Sequence, residues 1–121
     1  MSKRILVVED QEDNRRIMRD LLAASGYESI EAVTGDEGLA MAQREVPDLI
    51  LMDIQLPGLD GYEVTRRIKA NAALAHIPII AVTSYALSGD DQKAFAAGCD
   101  GYVTKPFSPK LLLAKIREYL K

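Results

Sequence analysis

The sequence predicts an α/β protein with a doubly wound parallel sheet, flanked by helices on both faces in a three-layer sandwich. Short apolar runs, typical of strands covered on both sides, alternate with segments of helical periodicity. Five such β-α pairs follow one another in strict alternation, which is the pattern of a doubly wound sheet. A chain of 121 residues is long enough to bury one core. We therefore expect a single domain over residues 1–121, with no room for an output domain.

Five segments predict the strands. Four are continuous apolar runs, such as Ile5-Leu6-Val7-Val8, and suit strands buried on both faces. The segment from Tyr27 to Val33 instead alternates apolar and polar residues, so we expect an edge strand there. The predicted strands are β1 at 4–9, β2 at 27–33, β3 at 48–53, β4 at 77–82 and β5 at 100–104.

The helices have recognisable starts and ends. Ile17, Leu21 and Ala24 recur at helical spacing before Gly26, a residue that commonly ends a helix. Capping signals precede three further helices: Thr34 with Glu37, Asp60 with Glu63, and Ser108 before Pro109. The predicted helices are α1 at about 13–25, α2 at 35–45, α3 at 60–71, α4 at about 88–97 and α5 at 109–120, where Leu112, Ile116 and Leu120 form one stripe.

Composition excludes several classes of protein. The net charge of -3 argues against a nucleic-acid surface, and no apolar run approaches the roughly 18 residues of a membrane span. The single cysteine, Cys99, rules out a disulfide framework and favours a reducing, cytoplasmic setting. We interpret Cys99 and the lone His76 as structural, because neither has a ligand or catalytic companion in the sequence.

Polar residues follow the apolar strands where each strand ends: Glu9-Asp10 after β1, Asp53 closing β3, Thr83-Ser84 after β4 and Lys105-Pro106 after β5. The carboxyl ends of parallel strands share one edge of the sheet. In the flavodoxin-like strand order 2-1-3-4-5, ligands bind at this edge between β1 and β3. Asp10 and Asp53 would flank that point.

Converging carboxylates call for a cation. Two unit charges about 4 Å apart repel by about 4 kcal/mol at an effective dielectric constant of 20. Oxygen ligands without histidine or thiolate suit Mg²⁺, which keeps coordination positions open for phosphoryl oxygens. Lys105 and Thr83 would supply a cation and a hydroxyl donor, and a neighbouring carboxylate could act as the nucleophile. The cluster therefore predicts a Mg²⁺ site that forms an aspartyl phosphate.

The chain resembles the receiver domain of two-component response regulators from its first strand to its last helix. Four segments carry the resemblance: Val8-Glu9-Asp10, Met52-Asp53-Ile54-Gln55-Leu56-Pro57-Gly58-Leu59-Asp60-Gly61, Val82-Thr83-Ser84 and Thr104-Lys105-Pro106-Phe107. The resemblance implies that Asp53 is phosphorylated, Asp10 binds Mg²⁺ directly, Glu9 binds it through water, and Gln55 adds its backbone carbonyl. Glu9 stands where an aspartate is commoner in the family.

The same resemblance implies a switch. Thr83 would move toward the phosphoryl group, Lys105 would pair with it, and Tyr102 would turn inward. The Lys105-Pro106 bond would be cis, and the side chains at Gln55 and Tyr85 would tune hydrolysis. The implied partners are a sensor histidine kinase or histidine phosphotransfer protein, and a downstream protein that reads the α4-β5-α5 surface.

Within the family, a lone receiver resembles the stand-alone cell-cycle regulators of alphaproteobacteria, although three segments also resemble receivers fused to hybrid kinases. Such a protein accepts a phosphoryl group and is not a dedicated enzyme. A basic stripe on α1, formed by Arg15, Arg16 and Arg19, is either a docking site for an acidic partner or a solvated face tied to Glu12 and Asp20.

Three alternatives belong to other classes. A phosphoaspartyl hydrolase of the haloacid-dehalogenase kind needs a second carboxylate two residues after the nucleophile, and position 55 is Gln. A flavodoxin needs a Ser/Thr/Gly loop after β1, where Glu9-Asp10-Gln11 would repel the flavin phosphate. A receiver-like adaptor that signals without phosphorylation would bind the metal without being labelled.

Overall fold

The structure is a computed structural model that describes residues 3–83, 90–105 and 107–120. It confirms five strands and five helices in alternation, with bounds close to those predicted. The elements are β1 (Arg4–Val8), α1 (Glu12–Ala24), β2 (Glu28–Ala32), α2 (Gly35–Glu45), β3 (Leu49–Asp53), α3 (Gly61–Ala70), β4 (Ile79–Thr83), α4 (Asp90–Ala97), β5 (Gly101–Thr104) and α5 (Pro109–Tyr119).

All five strands are parallel and form one sheet of order β2-β1-β3-β4-β5, as predicted. The order reverses between β1 and β3, which are hydrogen-bonded neighbours. Strand β2 lies at an edge, and its residues are less buried than those of β1, β3 and β4. The carboxyl ends of β1 and β3 therefore stand side by side at the switch point.

The strands carry a core on each face of the sheet. Alternate residues of β1 separate to the two sides: Leu6 and Val8 belong to one buried cluster, and Ile5 and Val7 belong to the other. The first cluster packs against α2, α3 and α4, and the second packs against α1 and α5. This arrangement is the three-layer sandwich that the uninterrupted apolar runs predict.

Helix α1 faces the sheet through different residues from those that predict it. Met18 and Leu22 are buried, while Ile17 is 52% exposed and Leu21 is half-buried. The helix itself is confirmed, but its buried face is rotated by one residue. The sequence offers two apolar i, i+4 pairs on adjacent faces, and only packing against the sheet selects between them.

The predicted caps are present where the helices begin. Thr34 accepts a hydrogen bond from the Glu37 amide at 3.1 Å, and Asp60 accepts one from the Glu63 amide at 2.9 Å. Ser108 accepts the Leu111 amide at 3.4 Å. Each cap satisfies an amide that the first helical turn leaves without a partner.

Three residues named by the sequence interpretation, Ser84, Tyr85 and Pro106, lie outside the described residues. So does the predicted start of α4, which is described from Asp90 onward. Among the described residues, none of the helices has both the length and the hydropathy of a membrane-spanning segment.

Candidate functional site

Three carboxylates meet where the strand order reverses. Glu9 and Asp10 follow β1, Asp53 ends β3, and one oxygen from each of the three lies within 4.8 Å of the others. Glu9 is fully buried, Asp53 is 4% exposed and Asp10 is half-buried. The residues described hold no other group of three or more carboxylate, histidine or cysteine side chains with this spacing. The structure therefore brings together the three acids that the strand-end pattern predicts.

The surroundings of the Asp53 carboxyl shift its pKa in opposite directions. Its Oδ1 accepts a hydrogen bond from the Gln55 amide at 3.1 Å, and its Oδ2 lies 3.6 Å from the Lys105 ammonium. Burial, followed by the negative charge of Glu9, raises the pKa of Asp53 to about 7, against the effects of Lys105 and the Gln55 amide. Without a cation, this carboxyl is therefore partly protonated near neutral pH.

Lys105 joins the far strand to the acidic cluster. It follows β5, its side chain is 13% exposed, and its Nζ lies 2.5 Å from Glu9 Oε1. The other oxygen of Glu9 accepts the Gln11 amide at 3.0 Å. A buried carboxylate is tolerated only with such partners. Lys105 thus compensates the Glu9 charge and leaves Asp53 the less compensated carboxyl.

Thr83 lies beside the acids at the end of β4. It is 1% exposed, and its Oγ1 accepts a hydrogen bond from Gln55 Nε2 at 2.7 Å. Gln55 therefore binds Asp53 through its main chain and Thr83 through its side chain. The phosphoacceptor candidate and the hydroxyl candidate are linked by one residue, a contact that the sequence interpretation does not include.

Tyr102 occupies the middle of β5, in register with Ala81 on β4. Its side chain is half-buried and packs against the core cluster on the α2, α3 and α4 side of the sheet. Tyr102 therefore lies two strands away from Asp53, and its switch role stays a prediction.

Arg15 is the residue that the sequence interpretation misplaces. Its side chain is 15% exposed, and Nη1 donates to the main-chain carbonyls of Glu9 at 3.0 Å and Asp10 at 3.2 Å. Its Nε lies 3.4 Å from Glu31, which also binds Arg19.

The solvated-face alternative holds for the exposed Arg16, although its partner is Asp13. Glu12 and Asp20 contribute their charges at Arg19, but the acid that forms ion pairs with both Arg15 and Arg19 is Glu31 on β2. An acidic residue on the neighbouring strand cannot be identified from spacing along α1.

Gly61 has a structural role that the motif does not reveal. A Cβ built on Gly61 would lie 2.4 Å from the Asp53 carbonyl oxygen and 2.8 Å from Ile54 Cα. The Gly61 amide also donates to the Ile54 carbonyl at 3.1 Å. The absent side chain therefore lets the start of α3 pack directly against the end of β3 and holds the Asp53 main chain in place.

Cys99 is buried, as a structural role would require, and its Sγ lies 3.8 Å from the Thr65 hydroxyl. Burial raises the pKa of the Cys99 thiol to about 11, so the thiol stays protonated at neutral pH. His76 is exposed in the segment between α3 and β4.

Comparison with protein families gives a match over most of the chain. The family described as "Response regulator receiver domain" matches residues 5–117. Among curated proteins, the polar-differentiation response regulator DivK of Brucella ovis is 47% identical over 120 residues, covering 99% of this chain and 98% of that protein. The corresponding protein of Brucella anthropi is equally identical over the same shares.

Solved structures agree with this match. A CheY-like receiver domain protein from Methanospirillum hungatei JF-1 has a TM-score of 0.92 and 36% identity, covering 99% of this chain and 94% of that one. The receiver domain of the sensor histidine kinase PA1611 from Pseudomonas aeruginosa PAO1 also has a TM-score of 0.92 and 36% identity, covering 99% and 98%. The latter structure holds a magnesium ion in its active site cleft.

Proposed function

Because the chain belongs to the response regulator receiver domain family, we propose that it takes a phosphoryl group from a phosphohistidine protein onto Asp53. The observation that carries this proposal is the convergence of Glu9, Asp10 and Asp53 within 4.8 Å, with Lys105 against them. A buried group of like charges is costly unless a ligand offsets it. We interpret the cluster as a site maintained for function.

The proposed reaction is a displacement at phosphorus. A carboxylate oxygen of Asp53 attacks the phosphorus, the new P–O bond forms, and the P–N bond breaks with its electron pair returning to the imidazole nitrogen of the donor. Lys105, 3.6 Å from Asp53, supplies positive charge to the transferred group. The Gln55 amide, bound to Oδ1, orients the carboxylate. Positioning and charge neutralisation suffice, and no general base is required.

The donor atoms fit a magnesium ion. The three side chains offer carboxylate oxygens only, which are hard ligands, and none offers the nitrogen or sulfur that zinc prefers. We propose that Asp10 and Asp53 bind Mg²⁺ directly, Glu9 binds it through water, and the Gln55 carbonyl contributes a further ligand. Bound there, Mg²⁺ would supply positive charge that offsets the repulsion among the carboxylates and the incoming phosphoryl group.

Phosphorylation would then shift the protein between two arrangements. The added group carries roughly -1.5 to -2 charges at neutral pH, by analogy with phosphoserine. Thr83, buried at the end of the strand beside Asp53, is placed to respond to that charge, and Tyr102 follows on the next strand. We propose that these two side chains alter the α4-β5-α5 surface that a downstream protein reads.

Membership of the family also supports a role in two-component signalling. The DivK relatives are response regulators, and this chain aligns with 98% of their length. We propose that the protein is a signalling partner of a histidine kinase or histidine phosphotransfer protein rather than a dedicated enzyme. The single-domain organisation and the cytoplasmic setting stay predictions.

The direct test is labelling with a small phosphodonor. The protein, its Asp53→Asn variant and an Asp20→Asn control are incubated with acetyl phosphate, with Mg²⁺ or with EDTA, and their intact masses are measured. Asp20 is an exposed acid on α1, outside the acidic cluster. We expect one added phosphoryl group on the wild type and the control with Mg²⁺, and none on Asp53→Asn.

Equal labelling of Asp53→Asn would overturn the assignment. Mg²⁺ binding without labelling of the wild type would support the adaptor alternative instead. Turnover of a phosphomonoester would support a hydrolase, although position 55 offers an amide bound to Thr83 where a hydrolase of the haloacid-dehalogenase kind needs a carboxylate.

A further inference from the structure

Arg15 binds the main chain that carries two of the three acids. One nitrogen, Nη1, donates to the carbonyl oxygens of Glu9 and Asp10 at 3.0 and 3.2 Å. Its Nε lies 3.4 Å from the Glu31 carboxylate on the neighbouring strand. The guanidinium thus spans the end of β1 and the side of β2. Only a planar group with several fixed donors can make these contacts together.

The position of this arginine is unfavourable for the helix that contains it. Arg15 is the fourth residue of α1, close to the helix N-terminus, whose partial positive charge disfavours cations. Glu12 and Asp13 in the first turn follow the usual preference for acids. The contacts of Arg15 with two carbonyls and a carboxylate compensate this disadvantage. Its binding to the Glu9-Asp10 main chain therefore explains why an arginine lies at this position of the helix.

A second arginine keeps the partner of Arg15 in place. Arg19 Nη1 lies 3.2 and 3.0 Å from the two oxygens of Glu31. The resulting chain runs from Arg19 through Glu31 to Arg15 and ends at the main chain of Glu9 and Asp10. It restrains the guanidinium through its Nε contact with Glu31, so Arg15 loses little conformational freedom when its Nη1 binds the loop.

We propose that Arg15 is a positioning residue for the Mg²⁺ site: it fixes the Glu9-Asp10 main chain so that both carboxylates face Asp53. The proposal rests on the proposed function, because it assumes that the acidic cluster binds Mg²⁺. It adds a residue that offers no ligand atom and acts only through the main-chain carbonyls of the acids.

The charge of Arg15 and the contacts that it makes with the loop predict opposite effects on the affinity for Mg²⁺. As a cation near the cluster, it repels Mg²⁺, so its charge alone would weaken metal binding. As a restraint on the loop, Arg15 orders the carboxylates before Mg²⁺ binds. Less conformational entropy is then lost on binding, so the restraint strengthens it. The variant Arg15→Lys separates the two effects, because lysine keeps the charge but cannot bridge both carbonyls and Glu31.

The experiment compares wild type, Arg15→Lys and the control Arg16→Lys by calorimetric titration with Mg²⁺. Arg16 is 59% exposed and pairs with Asp13, so its replacement removes the same chemical group without touching the loop. We expect Arg15→Lys to bind Mg²⁺ about tenfold more weakly, at the lower end of the range for residues that orient metal ligands. Arg16→Lys should bind as the wild type does.

Hydrogen exchange of the metal-free proteins in EDTA provides a readout that does not depend on Mg²⁺. The Gln11 amide is bound to Glu9 Oε2 and reports on the order of this loop. We expect it to exchange faster in Arg15→Lys than in the wild type, while amides in the middle of β3 are unchanged. A merely structural contribution would instead lower the urea midpoint and leave the Mg²⁺ dissociation constant unaltered.

The outcomes separate this inference from the proposed function. Mg²⁺ binding by the wild type with equal affinity in Arg15→Lys would overturn the positioning role and leave the metal site intact. No Mg²⁺ binding by the wild type would overturn both. Weaker binding by Arg15→Lys, with faster Gln11 exchange and an unaffected Arg16→Lys, would support the inference.

Discussion

Replacement of Asp53 by Asn should stabilise the metal-free protein, although it removes the group proposed to accept the phosphoryl. The asparagine has the same shape, and its Oδ1 can still accept the Gln55 amide that is 3.1 Å away in the wild type. Lys105 keeps its contact with Glu9 at 2.5 Å. The main change is therefore the loss of one negative charge from a crowded, buried site.

The size of the effect follows from the pKa shift of Asp53. Burial of a carboxyl that is 4% exposed is the largest cause of the raised pKa, the charge of Glu9 adds to it, and Lys105 and the Gln55 amide oppose it. A pKa raised from 3.8 to about 7 makes ionised Asp53 less favourable in the folded protein by roughly 4 kcal/mol, at about 1.4 kcal/mol for each pKa unit. We expect Asp53→Asn to gain roughly 2 to 4 kcal/mol at alkaline pH, when the wild-type carboxyl is ionised.

The sign of the pH dependence is fixed by the direction of the pKa shift. Burial and the charge of Glu9 raise the pKa of Asp53 from 3.8 in its ordinary state to about 7 in the folded protein. Between these values the folded protein keeps a proton that the unfolded chain has lost, so stability falls as the pH rises through this window. The contribution is complete below the unfolded pKa and is lost above the folded pKa.

The assay is urea denaturation in EDTA from pH 4 to pH 8 for the wild type, Asp53→Asn and the control Asp20→Asn. The advantage of Asp53→Asn should be largest at pH 8 and shrink steadily toward pH 4, because both proteins are then neutral at position 53. Asp20→Asn should stay close to the wild type throughout. An Asp53→Asn protein no more stable than the wild type at pH 8 would refute the reasoning.

Two further predictions concern the loop that follows Asp53. Gly61→Ala should lower the free energy of unfolding by about 1 to 3 kcal/mol, because the new Cβ would lie 2.4 Å from the Asp53 carbonyl oxygen. Urea denaturation measures this, and an unchanged midpoint would show that the loop can move aside at no cost. Asp60→Ala should cost about 1 kcal/mol, because the Glu63 amide loses its cap, whereas Asp60→Asn should recover most of that loss.

The acidic cluster was predictable from the sequence because its position depends on sheet topology alone. Once apolar runs identify parallel strands, their carboxyl ends share an edge, and the acids after β1 and β3 must be neighbours if those strands are adjacent. The structure confirms this adjacency and brings Glu9, Asp10 and Asp53 together. Capping residues were equally predictable, since their hydrogen bonds reach only three residues along the chain.

The remaining features depend on contacts between distant segments. Met18 is buried and Ile17 is exposed because α1 packs against the sheet through Met18. Both residues are apolar, so the sequence does not distinguish between them. Arg15 looks like part of an exposed basic stripe until Glu31 is placed beside it by the pairing of β1 with β2. Gly61 is one glycine among eight in the sequence until the end of β3 is packed against it.

The central claim is that Asp53 carries the phosphoryl group, and mapping the modified residue tests it most directly. The protein is phosphorylated with acetyl phosphate and Mg²⁺ and then reduced with borohydride, which converts an acyl phosphate to an alcohol and marks its position for peptide mass spectrometry. We predict that the mark falls on Asp53 and disappears when EDTA replaces Mg²⁺. A mark on Glu9, Asp10 or any residue outside the cluster, with Asp53 unmodified, would contradict the account.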